Sequence, residues 1–192
     1  MNKTVFDIKE EKAIPYYDQD KSIGKTLRNG GRSRGMNPFY YGLKRLKNYL
    51  LMLIAYIIPF NALRIKLNKW KGVNIGRNVY IGMFVFLDNA YPDYIYIEDN
   101  AAINAGCMVI AHFNLKKHFE PIINARVSPV IIKDGAMIGI RSIILPGVTI
   151  GEFSMISAAS VVSEDVEAYT LVRGNPAVRI TKYQKRMNAE TE

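Results

Sequence analysis

Apolar residues return at every sixth position through most of this chain. The successive runs are Ile75, Ile81 and Leu87, then Ile97, Ile103 and Val109, then Ile132, Ile138, Ile144, Ile150, Ile156 and Val162. A period of six differs from the 3.6-residue period of a helix, but it is a multiple of two, so a β-strand can carry it. A short strand and a turn every six residues form a coil with three flat faces. The pattern therefore predicts a mainly β protein built as a parallel β-helix.

Two other positions of the six-residue repeat carry structural information. The fourth residue after the repeating residue is usually small, as at Ala101, Ala136 and Ser142. We expect it to point inward, where a larger side chain would clash with the next coil. The residue directly after the repeating one is often glycine, as at Gly76 and Gly139. We expect the backbone to turn at these glycines with positive φ.

The composition fits one domain with an accessory segment. The chain has 192 residues, of which 49% are hydrophobic, as in an ordinary globular protein. Its single cysteine, Cys107, occupies a small inward position of the repeat, so we expect a packed core thiol. The N-terminus lacks the apolar stretch of a secretory signal peptide, and we therefore expect a cytoplasmic protein.

Positive charge is concentrated at the N-terminal end. Residues 1–72 contain 15 Lys and Arg against 5 Asp and Glu, whereas residues 73–192 contain 11 against 12. This asymmetry indicates contact with something anionic. We expect residues 1–37 to be a polar, basic and partly disordered segment. Because no nucleic-acid-binding motif accompanies the charge, nucleic acid is not an expected partner.

Residues 38–71 are predicted to form an amphipathic helical cap. One apolar stripe follows from the three-and-four spacing of Leu43, Leu46, Leu50, Leu53 and Ile57. The favoured role is to cover the open edge of the first coil of the β-helix. Peripheral contact with the anionic inner face of a membrane is an additional role that stays open. The apolar run is too short for a bilayer crossing, which takes about 20 residues.

The six-residue pattern is interrupted twice, after Leu87 and after Val109. The second interruption is much the longer and contains a predicted extruded loop, 113–129. A loop of that length in a compact repeat is usually functional. The only two histidines of the chain, His112 and His118, lie at its start and within it. Imidazole is the natural general base near neutral pH, so His112 is the candidate for acid–base chemistry.

Two stretches near the C-terminus resemble the hexapeptide-repeat acyltransferases. They are IIKDGAMIGIRSIILPGVTIGEFSMISAASVV and, after a short gap, VRGNPAVRI. The nearest branch is that of the maltose/galactoside acetyltransferase-like and xenobiotic acetyltransferase-like enzymes, which includes polysaccharide O-acetyltransferases. The resemblance covers roughly residues 72–182. It implies that the β-helix is left-handed, and it leaves residues 183–192 as a C-terminal tail.

The resemblance also implies a chemistry. It implies a homotrimer with each active site between two neighbouring copies, acetyl-CoA as the co-substrate, no metal, and His112 as the general base. The expected function is transfer of an acetyl group to a hydroxyl of a sugar or surface-polysaccharide precursor. An N-acetyltransferase of an amino sugar and a non-catalytic β-helix scaffold stay open as alternatives. A zinc enzyme on the same prism needs three histidine ligands, which this chain lacks.

Several further residues are candidates for the site. Asp88, directly after Leu87, is expected either to orient the imidazole of His112 or to cap its own turn. Asn114 is expected to bind the acceptor or to serve as a loop turn residue. By the resemblance, coenzyme A would lie against small residues that could equally serve corner packing, and its phosphates would meet basic ones. These small residues are Gly139, Ala158, Ala159 and Ser160, and the basic ones are Arg173, Arg179 and Lys182.

Overall fold

The computed structural model describes residues 3–14 and 38–184. Two α-helices come first after the N-terminal strand: α1 is Pro38–Ile57 and α2 is Asn61–Lys71. Single 3₁₀ turns lie at Pro92–Tyr94 and Lys117–Phe119. The strands are β1 Lys12–Ala13, β2 Asn74–Ile75, β3 Tyr80–Ile81, β4 Phe86–Leu87, β5 Ile95–Ile97, β6 Ala102–Ile103, β7 Met108–Val109, β8 His112–Phe113, β9 Arg126–Val127, β10 Val130–Ile132, β11 Met137–Ile138, β12 Ile143–Ile144, β13 Thr149–Ile150, β14 Met155–Ile156, β15 Val161–Val162, β16 Thr170–Arg173 and β17 Val178–Lys182.

Three parallel sheets form the faces of the prism. The first face has the order β2-β5-β10-β13, the second β3-β6-β11-β14-β16 with β17 antiparallel at its edge, and the third β4-β7-β12-β15. The repeating residues stand in register from coil to coil, so that Ile97 pairs with Ile75 below and Ile132 above. The predicted parallel β-helix is therefore confirmed. Because each coil contacts only its neighbours, stability builds up coil by coil.

The interior of the prism contains the two residue sets that the repeat predicts. The repeating residues from Ile97 to Ile150 have no exposed surface, and the small residues Ala101, Ala136 and Ser142 are equally buried. Cys107 also lies in this interior, where its thiol contacts the carbonyl oxygen of Gly139. Burial raises the pKa of the Cys107 thiol, so it stays protonated and packs as a small apolar group.

The glycines after the repeating residues have a different role from the one expected. Positive φ falls three residues after the repeating one, as at Arg141 (57°) and Gly135 (67°), and it does not fall at Gly139. The expectation of positive φ at the first position is therefore wrong. A Cβ atom on Gly139 would lie 2.5 Å from the backbone nitrogen of Ala158 in the next coil. Glycine is needed there because two coils approach each other closely.

Helix α2 covers the open edge of the first coil. The Asn61 side chain donates to the Val79 carbonyl (3.1 Å) and accepts from the Ile81 N–H (3.0 Å). The buried Arg64 Nε donates to the Ile81 carbonyl at 2.7 Å. These side chains stand in for the hydrogen bonds of a missing coil, because buried backbone groups need partners. The helix ends at Gly72, whose left-handed backbone returns its N–H to the last turn.

Helix α1 packs against α2 and presents its apolar stripe outward. Among the residues of α1 whose side chains the structure describes, Asn48 and Ala55 are buried. The predicted stripe is exposed, with Leu46 at 54% and Ile57 at 63%. The structure thus differs from the expectation that this stripe covers the prism. The polar side chains of α2 bond the first coil at Val79 and Ile81. Helix α1 reaches the prism near its own C-terminal end, where the Tyr56 carbonyl accepts from the Phe84 N–H at 2.8 Å.

Residues 3–14 run as an extended strap along the first face. Its beginning is held by the Lys3 ammonium, which lies 3.1 Å from Glu152 and 3.3 Å from Asp134. Its end is β1, which pairs antiparallel with β9, and Ile14 there is buried in the core cluster. Residues 3–14 therefore form an extended segment held by defined contacts, whereas partial disorder was expected within residues 1–37. The remainder of 1–37, and residues 185–192 of the expected tail, lie outside the described residues.

The predicted loop 113–129 leaves the prism as an antiparallel pair. Strand β8 pairs with β9, so that His112 faces Val127 across the base of the loop. Strand β1 adds a third strand on the other side of β9. The base of the loop is therefore part of a small three-stranded sheet, and the strap holds it from outside.

Candidate active site

Both interruptions of the repeat occur at the same corner of the prism. The first follows β4 and contains Asp88 and the turn Pro92–Tyr94, and the second follows β7 in the next coil and begins with His112. Because β4 and β7 are adjacent on the third face, the two irregular segments lie next to each other. The segments after β4 and β7 therefore form one irregular corner on an otherwise regular prism.

Asp88 and His112 meet at this corner. Asp88 Oδ2 accepts a hydrogen bond from His112 Nδ1 and another from the Ala111 N–H at 3.0 Å. Asp88 Oδ1 accepts from the backbone N–H groups of Ala90 (2.8 Å) and Tyr91 (3.2 Å). One carboxylate therefore caps its own turn with one oxygen and contacts the imidazole with the other.

The carboxylate of Asp88 is stabilised in its ionised form. Its side chain is 1% exposed, and burial alone would raise its pKa. The hydrogen bond and the charge of His112, with the backbone donors of Ala111 and Ala90, outweigh burial and hold the pKa of Asp88 below its ordinary value. The charge of this group therefore persists at neutral pH.

The imidazole of His112 is oriented by these contacts. Since Nδ1 bonds to a carboxylate that can only accept, the neutral ring carries its proton on Nδ1 and leaves Nε2 as the basic nitrogen. The Tyr91 ring packs against the imidazole with 5.4 Å between the ring centroids. The His112 side chain is 22% exposed, so it is held from one side and open on another.

A buried lysine lies behind the pair. The Lys71 ammonium, at the end of α2, donates to the Leu87 carbonyl at 2.7 Å, one residue before Asp88. Burial lowers the pKa of Lys71 to about 8, and the charge of Asp88 opposes this shift. The helical cap and the candidate site are thus joined through one side chain.

Asn114 and His118, the other polar residues considered in the predicted loop, lie on its surface. Asn114 is exposed immediately after β8. His118 is also exposed, and its ring packs on Phe119 at 4.3 Å instead of contacting Asp88 or His112. Among residues 3–14 and 38–184, no group of three His, Cys, Asp or Glu side chains is arranged to hold a metal ion.

The small residues predicted to hold coenzyme A lie at a different corner. Gly139 follows β11, and Ala158, Ala159 and Ser160 follow β14 in the next coil, so all four lie after the second face. Ala158 and Ala159 are exposed, whereas Ser160 is buried and its hydroxyl donates to the Ser157 carbonyl at 2.7 Å. Ser160 thus faces the core, and the alanines face outward.

The predicted basic residues continue from this corner toward the C-terminal end. Arg173 is exposed at the end of β16, and the next residue, Gly174, donates its N–H to the Ser160 hydroxyl at 3.1 Å. Arg179 and Lys182, on β17, both pair with Glu167, at 3.9 Å and 2.8 Å. All of these charges are exposed, and exposed pairs are weak enough to give way to a phosphate.

Sequence reasoning did not single out two residues of the His112 corner. Lys71 and Tyr91 lie far from His112 in the chain, and neither stands on a repeating position. Tyr91 lies in the first interruption, so the coincidence of both interruptions at one corner could have indicated it. Lys71 carries no comparable signal, because its position depends on how α2 packs on the first coil.

Comparisons with known proteins give relatives along most of the chain. The Bacillus subtilis protein named "Putative acetyltransferase YvoF" is 31% identical over 135 residues, which are 70% of this chain and 75% of that protein. No family model matches the chain.

Two solved structures show the same architecture. The hexapeptide-repeat-containing acetyltransferase VCA0836 of Vibrio cholerae, complexed with acetyl-coenzyme A, has a TM-score of 0.61 at 21% identity and covers 86% of this chain and 100% of its own. A maltose O-acetyltransferase from Clostridium difficile has a TM-score of 0.59 at 22% identity and covers 76% of this chain and 89% of its own. These likenesses confirm the predicted left-handed parallel β-helix.

Proposed function

This chain belongs to the hexapeptide-repeat acetyltransferase family, and we propose that it transfers the acetyl group of acetyl-CoA to a hydroxyl of a sugar or surface-polysaccharide precursor. The observation that carries this proposal is the contact between the buried Asp88 carboxylate and His112 Nδ1. It leaves Nε2 of a partly exposed imidazole as a base, directly before an extruded loop. The acetyl-CoA complex of the Vibrio cholerae relative supports the same donor here.

The proposed reaction needs one base that also acts as an acid. His112 Nε2 takes the proton of the acceptor hydroxyl as its oxygen attacks the thioester carbonyl carbon of acetyl-CoA. The tetrahedral intermediate then collapses, the carbon–sulfur bond breaks, and the imidazolium returns its proton to the coenzyme A thiolate. The products are the acetyl ester and free coenzyme A. Holding both substrates in line supplies much of the rate, so no covalent enzyme intermediate is required.

Asp88 has a positioning role in this proposal. Its ionised carboxylate holds the Nδ1 proton, so Nε2 is the nitrogen that faces the substrates. The same charge stabilises the imidazolium that forms when Nε2 takes a proton. The backbone N–H groups of Ala90, Tyr91 and Ala111 hold the carboxylate in place.

We propose a hydroxyl as the acceptor because a hydroxyl depends on a base to attack, and a protonated amine would need the same base. A neutral amine attacks a thioester without help, whereas a hydroxyl is a weak nucleophile unless a base removes its proton. An imidazole held by a buried carboxylate is the arrangement that a hydroxyl needs. The maltose O-acetyltransferase of the same fold is consistent with a sugar acceptor.

The placement of the two halves of the site supports a homotrimer. His112 lies at the corner after the third face, whereas Gly139 and Ala158 lie at the corner after the second. A single prism therefore keeps the base apart from the residues proposed to bind coenzyme A. A cyclic arrangement of copies brings the second-face corner of one copy to the third-face corner of the next. In this proposal each active site is shared by two neighbours.

Acetyl-CoA itself would lie along the second-face corner. The exposed Ala158 and Ala159 leave room for the pantetheine arm against the backbone of successive coils. Arg173, Arg179 and Lys182 would meet the phosphates at the C-terminal end. Asn114, exposed two residues after the base, is the proposed contact for the acceptor.

The direct test measures release of coenzyme A thiol from acetyl-CoA across a panel of sugars and glycan fragments. His112→Ala should lower kcat by about 10²–10⁴-fold, the usual contribution of a general base. His118→Ala is the matched control, because it removes the other imidazole from the same loop, and it should leave kcat within about twofold. Equal turnover by His112→Ala and wild type would contradict the proposal.

The same assay separates the alternatives. Acetylation of amino sugars with no activity on their hydroxyl analogues would favour the N-acetyltransferase. Absence of coenzyme A binding in equilibrium dialysis at millimolar concentration would favour the scaffold. The proposal predicts ester products, which mild base hydrolyses and which mass spectrometry detects as one acetyl group per acceptor.

A further inference from the structure

Helix α1 has two unlike faces, and the more apolar one faces solvent. Its buried residues, Asn48 (6% exposed) and Ala55 (7% exposed), lie on the face toward α2 and the prism. The exposed apolar residues lie about 160° around the helix from this face, at roughly 100° per residue. We name these residues the outer stripe: Phe39, Leu43, Leu46, Leu50, Leu53 and Ile57. Contiguous exposed apolar surface of this kind marks an interaction site.

The charge around the outer stripe has one sign. No acidic residue occurs between Asp20 and Asp88 in the sequence. Five exposed cations belong to the two helices: Lys44, Arg45, Lys47, Lys66 and Lys69. A second copy of this same face would bring cations against cations, so self-pairing across it is unfavourable. Because neither helix carries an acidic residue, the outer stripe complements an anionic surface with an apolar interior.

Aromatic residues of the interfacial type accompany the stripe. Tyr40, Tyr49 and Tyr56 on α1 are exposed, as is Trp70 on α2, at 58%. Tyrosine and tryptophan are enriched where a membrane meets water, because they combine an apolar ring with a polar group. Lys66 lies over the Trp70 ring at 5.0 Å, so a cation and an aromatic ring sit together on the surface of α2.

We propose that α1 docks the protein on an anionic lipid bilayer, lying in the plane of the interface with the outer stripe among the lipid chains. Within the described residues, neither α1 nor α2 combines the length and apolar content that a bilayer crossing requires, which fits a helix lying flat. On α1, Lys47 lies about 80° and Arg45 about 120° around the helix from the centre of the outer stripe, so these two cations would meet the lipid phosphates. This inference rests on α1 and α2 alone and is independent of the acetyl-transfer proposal.

The first experiment uses the full chain and vesicles of two compositions. Co-sedimentation should occur with vesicles of 30% phosphatidylglycerol in phosphatidylcholine and be at least about tenfold weaker with phosphatidylcholine alone. Raising the salt from 0.1 M to 0.5 M should weaken binding, because it screens the cations. Equal binding to both vesicle types, or none to either, would overturn the proposal.

Matched variants test the outer stripe. Leu50→Glu places a charge in the middle of the outer stripe. It should weaken vesicle binding by at least about tenfold, because one leucine side chain no longer enters the apolar interior of the bilayer. Val5→Glu is the control, since Val5 is 89% exposed on the strap, away from α1. It should bind as wild type does. Equal binding by wild type and Leu50→Glu would overturn the proposal.

Two further measurements test the role of the cations and ask whether the outer stripe is a contact between copies of the chain. Arg45→Gln with Lys47→Gln should weaken binding by about fivefold per residue, whereas Lys44→Gln, a matched control nearer the buried face of α1, should weaken it less. Light scattering should give the same mass for wild type and Leu50→Glu. A smaller mass for Leu50→Glu would make the stripe a contact between copies and overturn the proposal. Thiol release with a soluble acceptor should be unchanged in Leu50→Glu, which keeps a failure of membrane docking distinct from a failure of catalysis.

Discussion

Asp88 has two roles in the structure that the sequence left as alternatives. A carboxylate has two oxygens, and here one caps the turn at Ala90 and Tyr91 while the other contacts Ala111 and His112. The repeat indicated Asp88 because it places this residue one coil below His112 at the same corner. The repeat could not say which way the carboxylate points, since that depends on the irregular turn that follows.

The first prediction concerns Asp88. Asp88→Asn keeps the shape of the side chain and removes its charge, so the imidazole loses the group that sets its tautomer and stabilises its protonated form. We expect kcat to fall by about 10²-fold or more, with a smaller change in KM for acetyl-CoA. Asp93→Asn, in the same interruption but exposed and paired with Lys9, should retain activity within about twofold. Equal losses in the two variants would contradict the positioning role.

Lys71 gives a prediction on stability against pH. Burial lowers the pKa of Lys71 to about 8 from 10.5, so between these values the unfolded chain binds more protons than the folded one. The contribution of Lys71 to the free energy of unfolding therefore rises with pH through this window, by up to about 3 kcal/mol. Denaturant titrations of wild type and Lys71→Met at pH 7 and pH 10 should show wild type gaining relative to the variant. A difference that is constant with pH would contradict this account.

At the scale of elements, regular repeats were predictable and helix orientation was not. The period of six located the coils because each repeating residue has the same surroundings, a closely packed and mainly apolar interior. The spacing of Leu43, Leu46 and Leu50 identified a helix with an apolar face. The spacing could not indicate what that apolar face contacts, and in the structure the face is exposed to solvent. The polar face of α2 covers the prism because backbone groups at the open edge need hydrogen bonds more than they need apolar contact.

The strap is the element that sequence patterns missed. Residues 3–14 carry no strong periodicity, and β1 has only two residues, so its pairing with β9 arises from the tertiary structure. Glu11 contacts the Ser128 hydroxyl, and the Ile14 N–H donates to the Ala125 carbonyl at 2.9 Å. These contacts bind the strap to the outgoing end of loop 113–129.

Removing the anchor of the strap should loosen that loop. Ile14 is 6% exposed in the core cluster, and Ile14→Ala should cost about 2 kcal/mol or more. Since β1 pairs with β9, hydrogen exchange at the amides of residues 125–128 should speed up by about 30-fold. Val5→Ala, at an exposed position of the same strap, should leave exchange unchanged. Equal exchange in both variants would show that the strap does not hold the loop.

At the scale of the whole molecule, the two halves of the proposed site lie on different corners of one prism. The sequence indicated the first half because His112 precedes the loop, and the resemblance to the acyltransferases indicated the second half. Their separation follows only from the face on which each strand lies, β7 on the third and β11 and β14 on the second. The account therefore requires a neighbouring copy to complete each site.

Complementation between inactive variants tests this requirement most directly. His112→Ala removes the base, and Ala158→Trp fills the proposed coenzyme A groove at an exposed position, so each variant alone should be inactive. In trimers assembled from equal amounts of both, about one quarter of the shared sites combine an intact His112 with an intact groove. Coenzyme A thiol release by co-expressed variants should therefore reach about one quarter of the wild-type rate. Activity no greater than that of the separate variants would contradict a site shared between copies.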